Sequence, residues 1–198
     1  MAEMDAWPIY EINQNSFLDF CWNDKGSDPV EYVGRFVKDR FASHTEVLTR
    51  VMLEVERIMR PFGLLGGRYP FEEIEGAVKS IDRCLAMLGD EAKSAGNKEK
   101  RYILVWEANL MYLRLSLLSD RHIRGLIQNG DTRPQSLNEL VRLDLELLRY
   151  IETMPSSSFL HSEYVPNRIK KRMCEVEEMA KEGPSTSPEE LERLWRNR

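Results

Sequence analysis

Apolar positions recur along this chain with a helical period, most densely over Tyr102–Leu118, YILVWEANLMYLRLSLL. Only Glu107, Asn109, Arg114 and Ser116 interrupt that stretch. At about 100° per residue, Glu107 and Arg114 share one narrow stripe, and Asn109 and Ser116 share another roughly opposite. Ile103, Trp106, Leu110, Leu113 and Leu117 line one flank between the stripes. Leu104, Ala108, Met111, Leu115 and Leu118 line the other. A helix apolar on two sides needs neighbours on two sides, so the pattern predicts a central helix over about 100–118. A membrane span would need about 20 apolar residues, and Glu107 and Arg114 near its middle would each cost several kcal/mol.

The remaining periodic segments predict about six or seven helices in all, with no convincing strand run. Asp28-Pro29 reads as a helix start, with Asp as cap and proline at the first helical position. Ser43-His44-Thr45-Glu46 matches a capping box, so a break or a new helix is expected near Ser43, and Pro61 with the glycines of PFGLLGGRYP ends that helix. Pro70 opens a helix with Glu72, Glu73 and Glu75 in its first turns, and Gly89–Lys100 reads as a frayed end and loop. Ser119-Asp120 suggests a kink or restart after the central helix, and Asn129-Gly130 a stop. Ser136-Leu137-Asn138-Glu139 is a second capping box before a leucine stripe through Leu148 and Ile151. Over Pro166–Glu182 a thin seam of Ile169, Met173, Val176 and Met179 runs through a charged helix. Ser187-Pro188-Glu189-Glu190 is a third capping box, opening a short helix with Leu191, Leu194 and Trp195.

The fold class expected is therefore all-α, a helical bundle over 1–182 around the central helix, followed by a flexible tail over 183–198 that carries the short helix. Residues 1–27 hold Trp7, Ile9, Tyr10, Ile12, Phe17, Leu18, Phe20 and Trp22, too many large apolar groups for a disordered tail. This arm is expected to pack on the bundle, with an aromatic hook for a partner as the alternative.

Composition narrows the function classes. A net charge of −5 argues against generic affinity for nucleic acid or anionic membranes, although not against a local basic patch. Cys21, Cys84 and Cys174 are odd in number and far apart, with no CxxC, so neither a disulfide framework nor a zinc site is indicated. Reduced thiols fit a cytoplasmic or nuclear protein, and MAEMDAWPIY lacks the features of a secretory signal.

Candidate chemistry is sparse. His44, His122 and His161 fall in no metal-ligand spacing. GLLGGR at 63–68 lacks the strand before it and the GK[ST] ending that a phosphate loop requires. Glu107 is the one acid inside the apolar helix; the seven-residue step through Lys100, Glu107, Arg114 and Arg121 favours a solvated edge over a catalytic carboxylate. Arg168, Lys170, Lys171 and Arg172 form a short basic run that could meet phosphates, though the acids that follow offset it. Leu191, Leu194 and Trp195 suit helix-in-groove docking, with packing back on the bundle as the competing arrangement. These features lead to a non-enzymatic interaction protein, adaptor or regulatory, that binds a partner protein and uses no cofactor or metal. A homo-oligomer would also satisfy the two-sided central helix, and a nucleic-acid-associated protein using the 168–172 run is the alternative.

Overall fold

The computed structural model describes residues 28–41, 45–63, 69–153, 164–182 and 187–196. The aromatic arm over 1–27 and the serine of the first capping box, Ser43, lie outside the described residues. Among the described residues the fold is all-α: α1 Pro29–Arg40, α2 Thr45–Gly63, a 3-10 turn Phe71–Glu73, α3 Ile74–Ser94, α4 Asn97–Asn129, α5 Pro134–Thr153, α6 Tyr164–Glu182 and α7 Pro188–Arg196. No helix among them is long and apolar enough to cross a membrane. The chain divides into two compact units, Met1–Pro70 with Glu75–Met111, and Phe71–Ile74 with Tyr112–Arg198.

In the first unit, Asp28 caps α1 by accepting the Val30 N–H at 2.9 Å, and Pro29 takes the first helical position without losing a needed bond. α2 ends at Gly63, the first glycine of the PFGLLGGRYP stretch where the sequence pattern placed its end. α3 outruns expectation. Gly89 lies inside it, and the helix continues to Ser94 before a break at Ala95-Gly96. The frayed loop expected over 89–100 is therefore mostly helix. Its exposed polar side chains pair locally, as Lys93 does with Asp90 at 2.7 Å.

The core of this unit takes Val37 and Phe41 from the end of α1, Val51 and Val55 from α2, Ile81 and Leu88 from α3, and Ile103, Trp106 and Leu110 from α4. Phe41 meets Tyr102 edge to face, with ring centroids 5.6 Å apart. A void of about 10 Å³ among Phe41, Leu48, Val51, Met52, Leu88, Ile103 and Trp106 has room for nothing larger than a water molecule. On the polar side, both oxygens of Glu54 accept from Arg57, at 3.0 and 2.8 Å, and the buried Ser80 hydroxyl accepts from Arg57 and Arg83. These contacts, Arg57 foremost and then Ser80, hold the Glu54 carboxyl down at about 2 against the opposing effect of burial.

In the second unit the later half of α4 continues through Ser119-Asp120 to Asn129 as one helix, so the expected restart is absent. Ser and Asp unsettle a helix when they bond to its own backbone. Here both side chains bond to other elements instead, as described below. The stop at Asn129-Gly130 is as the sequence indicates. Gly130 sits at φ +59, its N–H donates to Ile127, and the Asp131 N–H reaches back to Leu126, which is a Schellman closure.

α5 then starts differently from the expected capping box. Asp131 gathers the turn, accepting from the Arg133 backbone and guanidinium and from the Ser136 hydroxyl at 2.7 Å. The Arg133 and Ser136 bonds hold its carboxyl well below the ordinary carboxylate range. Glu139 turns to Arg142 at 2.6 Å and caps nothing. Ser136 lies inside the first turn because Pro134 has already begun the helix.

Candidate functional site

The last described helix carries the sequence-predicted Leu191, Leu194 and Trp195, and its seat in the second unit brings them against partners. α7 is opened by a reciprocal capping box: the Ser187 N–H donates to the Glu190 carboxylate at 2.8 Å, and the Glu190 N–H donates to the Ser187 hydroxyl at 3.3 Å. Nine residues are too few for a helix to hold by itself in water, so its stability comes from what it packs against.

Leu191 and Leu194 are buried, at 0% and 5% exposure, in one cluster with Ile123 and Leu126 of α4, Leu137 and Leu140 of α5, and Val176 and Met179 of α6. Full burial of a leucine contributes roughly 1.5–3 kcal/mol. Of the expected tail over 183–198, the described residues 187–196 form a seated helix whose two leucines are buried, the competing arrangement of packing back on the bundle. The reason lies in the apolar trough formed by three helices, which nine amphipathic residues can close.

Trp195 is only partly buried, and its surroundings are polar as well as aromatic. Its Nε1–H donates to Asp120 Oδ1 at 2.8 Å. The other oxygen of Asp120 pairs with Arg124 at 3.2 Å. The Arg124 guanidinium lies 5.3 Å from the Trp195 ring centre and 5.0 Å from that of Phe71, placing it over both aromatic rings. At the other end of α7, Pro188 lies beside Gly130. The helix therefore runs antiparallel to α4, with its N-terminus at the C-terminus of α4, an arrangement the helix dipoles favour.

The trough has its own framework. Asp144, wholly buried on α5, accepts from the Ser119 hydroxyl of α4 at 2.8 Å. It also takes a two-pronged bond from Arg172 of α6, through Nε at 2.6 Å and through Nη2, which also reaches Ser119. The His122 Nε2–H donates to the Ser136 carbonyl at 2.8 Å, a second tie between α4 and α5.

This network changes the reading of the basic run. Arg168, Lys170 and Lys171 are exposed, and Lys171 lies 3.9 Å from Glu175. Arg172, at 12% side-chain exposure, turns inward to Asp144. Helical geometry also sets Lys170 about 160° around the axis from Arg168. The four basic residues do not form one surface.

Elsewhere, burial raises the Glu107 carboxyl above its ordinary range, where it lies close to Gly89 in the first unit. No group of three potential metal ligands is assembled among the described residues. Cys84 is buried and its thiol is pushed up to about 11, chiefly by desolvation, which makes it unreactive; Cys174 is exposed. Comparison with protein-family models, with curated proteins and with solved structures finds no match.

Sequence reasoning missed Asp144, Ser119 and Asp120. Asp144 does leave a signal, because it falls on the apolar stripe of its own helix, four residues after Leu140 and four before Leu148.

Proposed function

We propose that this chain is a non-enzymatic protein-interaction protein, adaptor or regulatory, which acts by binding a partner protein in the cytoplasm or nucleus. The observation that carries the reading is the seat of α7. Two leucines close an apolar trough and a tryptophan sits in an acid–arginine–aromatic clamp, which is the anatomy of an apolar interface core with a polar rim. Tryptophan and arginine are the residues that most often anchor such contacts. Three widely spaced cysteines, none with CxxC spacing, support the compartment.

The test is affinity capture from cell lysate with the full chain as bait, with and without nuclease. A defined protein recovered under both conditions supports the reading. Recovery that nuclease abolishes, and that replacement of Arg168, Lys170 and Lys171 by Ala weakens, would transfer the function to nucleic-acid binding. Recovery no different from an unrelated bait would remove the interaction reading.

A further inference from the structure

We infer that α7 is a displaceable self-ligand, and that its seat on α4, α5 and α6 is a docking groove for an amphipathic helix of a partner protein. Resting on the interaction reading above, it names the site and the chemistry of the occupant. Three observations carry it.

First, the groove is held open by bonds that involve no atom of α7. Ser119 and His122 tie α4 to α5, and Arg172 ties α6 to Asp144 of α5 and to Ser119 of α4. A trough braced in this way keeps its walls when its occupant leaves. Second, α7 brings its own end bonds, with the Ser187–Glu190 box at its start and Arg196 on Glu192 at 2.5 Å near its end. Its helix does not depend on the trough for those groups.

Third, the contacts between the two are selective. The floor of Ile123, Leu126, Leu137, Leu140, Val176 and Met179 accepts only apolar side chains. At the rim, Asp120 Oδ1 offers an acceptor to an N–H donor, and the Arg124 guanidinium offers its face to an aromatic ring. A competitor therefore presents two leucines three residues apart and a tryptophan directly after the second, on a helix running antiparallel to α4. Nucleic acid, which has no leucine-like side chains, cannot fill the apolar floor.

The experiment uses the full chain and a fluorescein-labelled peptide of residues 187–196, SPEELERLWR, read by fluorescence anisotropy. In the wild-type chain the tethered α7 competes at roughly mM effective concentration, so the peptide binds weakly. In full-chain Trp195→Ala, and separately in the milder Leu194→Ala, binding should tighten by about tenfold or more as the tethered competitor weakens. A peptide with both leucines replaced by Ala should bind neither variant. Circular dichroism accompanies each titration.

Variants that keep wild-type helicity and bind the peptide no better than wild type would overturn the proposal. So would loss of helicity across the chain in both variants, which would make α7 an obligate part of the core. If sedimentation shows a dimer of the wild type that Trp195→Ala abolishes, the occupant is α7 of a second copy and the partner-helix assignment is wrong. None of these failures touches the capture experiment, which detects binding at any surface.

Discussion

The two halves of α4 each mix apolar and polar residues in similar measure, yet they treat the polar residues among their apolar ones in opposite ways. In the half belonging to the first unit, Asn109 bonds back to its own helix at Val105, and Trp106 buries an indole N–H with no hydrogen-bond partner among the described residues. Burial raises the Glu107 carboxyl, and Leu104 stands half exposed at 52%. In the half belonging to the second unit, Ser119, Asp120, His122 and Arg124 all reach partners on other segments or on α4 itself. A polar group on an apolar helix is a cost where nothing meets it and a joint where something does. The second half of α4 is where joints have been built, and the candidate site lies on it.

The largest effect that should expose this difference comes from the buried joint. Arg172→Ala leaves the Asp144 carboxylate enclosed without its cation, a loss of about 3–5 kcal/mol by urea unfolding. The double replacement Arg172→Met with Asp144→Leu should recover most of that loss, because it removes both charges together. If Arg172→Ala costs less than about 1 kcal/mol, the network is not what braces the trough.

Asp144 and Arg172 also show how far the sequence could be read. Each sits on an apolar seam, Asp144 between Leu140 and Leu148, and Arg172 between Ile169 and Val176. An acid on one seam and a base on another announce a buried pair. A linear run, RIKKR, instead suggests a patch, and the helical turn disperses it. Ser119 follows the same rule, four residues from Leu115 and from Ile123. The helix periods and the Gly130 and Ser187 signals were legible because they are local. The Ser136 box and the restart at Ser119-Asp120 are misread because a short motif does not say which partner its side chain will choose. That choice is made across 25 residues for Ser119 and across 75 for Asp120.

The two tryptophans sharpen the comparison at smaller cost. Trp195→Phe keeps a ring over Arg124 but gives up the bond to the Asp120 carboxylate, about 1–2 kcal/mol for a hydrogen bond to a charged group in a partly exposed setting. Hydrogen exchange should register this as faster exchange of the α7 amides, by roughly 5–30-fold, with the α4 and α5 amides unchanged. Trp106→Phe has no indole bond to lose. Relief of a desolvated N–H offsets the smaller ring, so unfolding free energy should stay within about 1 kcal/mol of wild type. Equal losses at the two sites would mean that the two halves of α4 do not differ as described.

The smallest effects separate two acids of the first unit by the sign of their pH dependence. Glu54 has its carboxyl held at about 2 by Arg57 and Ser80. The stability it contributes is complete above the carboxylate's ordinary value and is lost as pH falls from there toward 2. Glu107 is shifted the other way by burial, so its folded form favours the proton and it loses stability as pH rises through its raised value. Glu107→Gln should therefore melt higher than wild type at pH 7, with the gap closing as pH falls through the raised value to the ordinary carboxylate value. Glu54→Gln should melt lower than wild type at pH 7, with that gap also closing in acid. Melting curves from pH 7 down to pH 3 read both. If the two variants shift the melting temperature in the same direction at pH 7, Glu107 has found a cation, and the first half of α4 carries a joint after all.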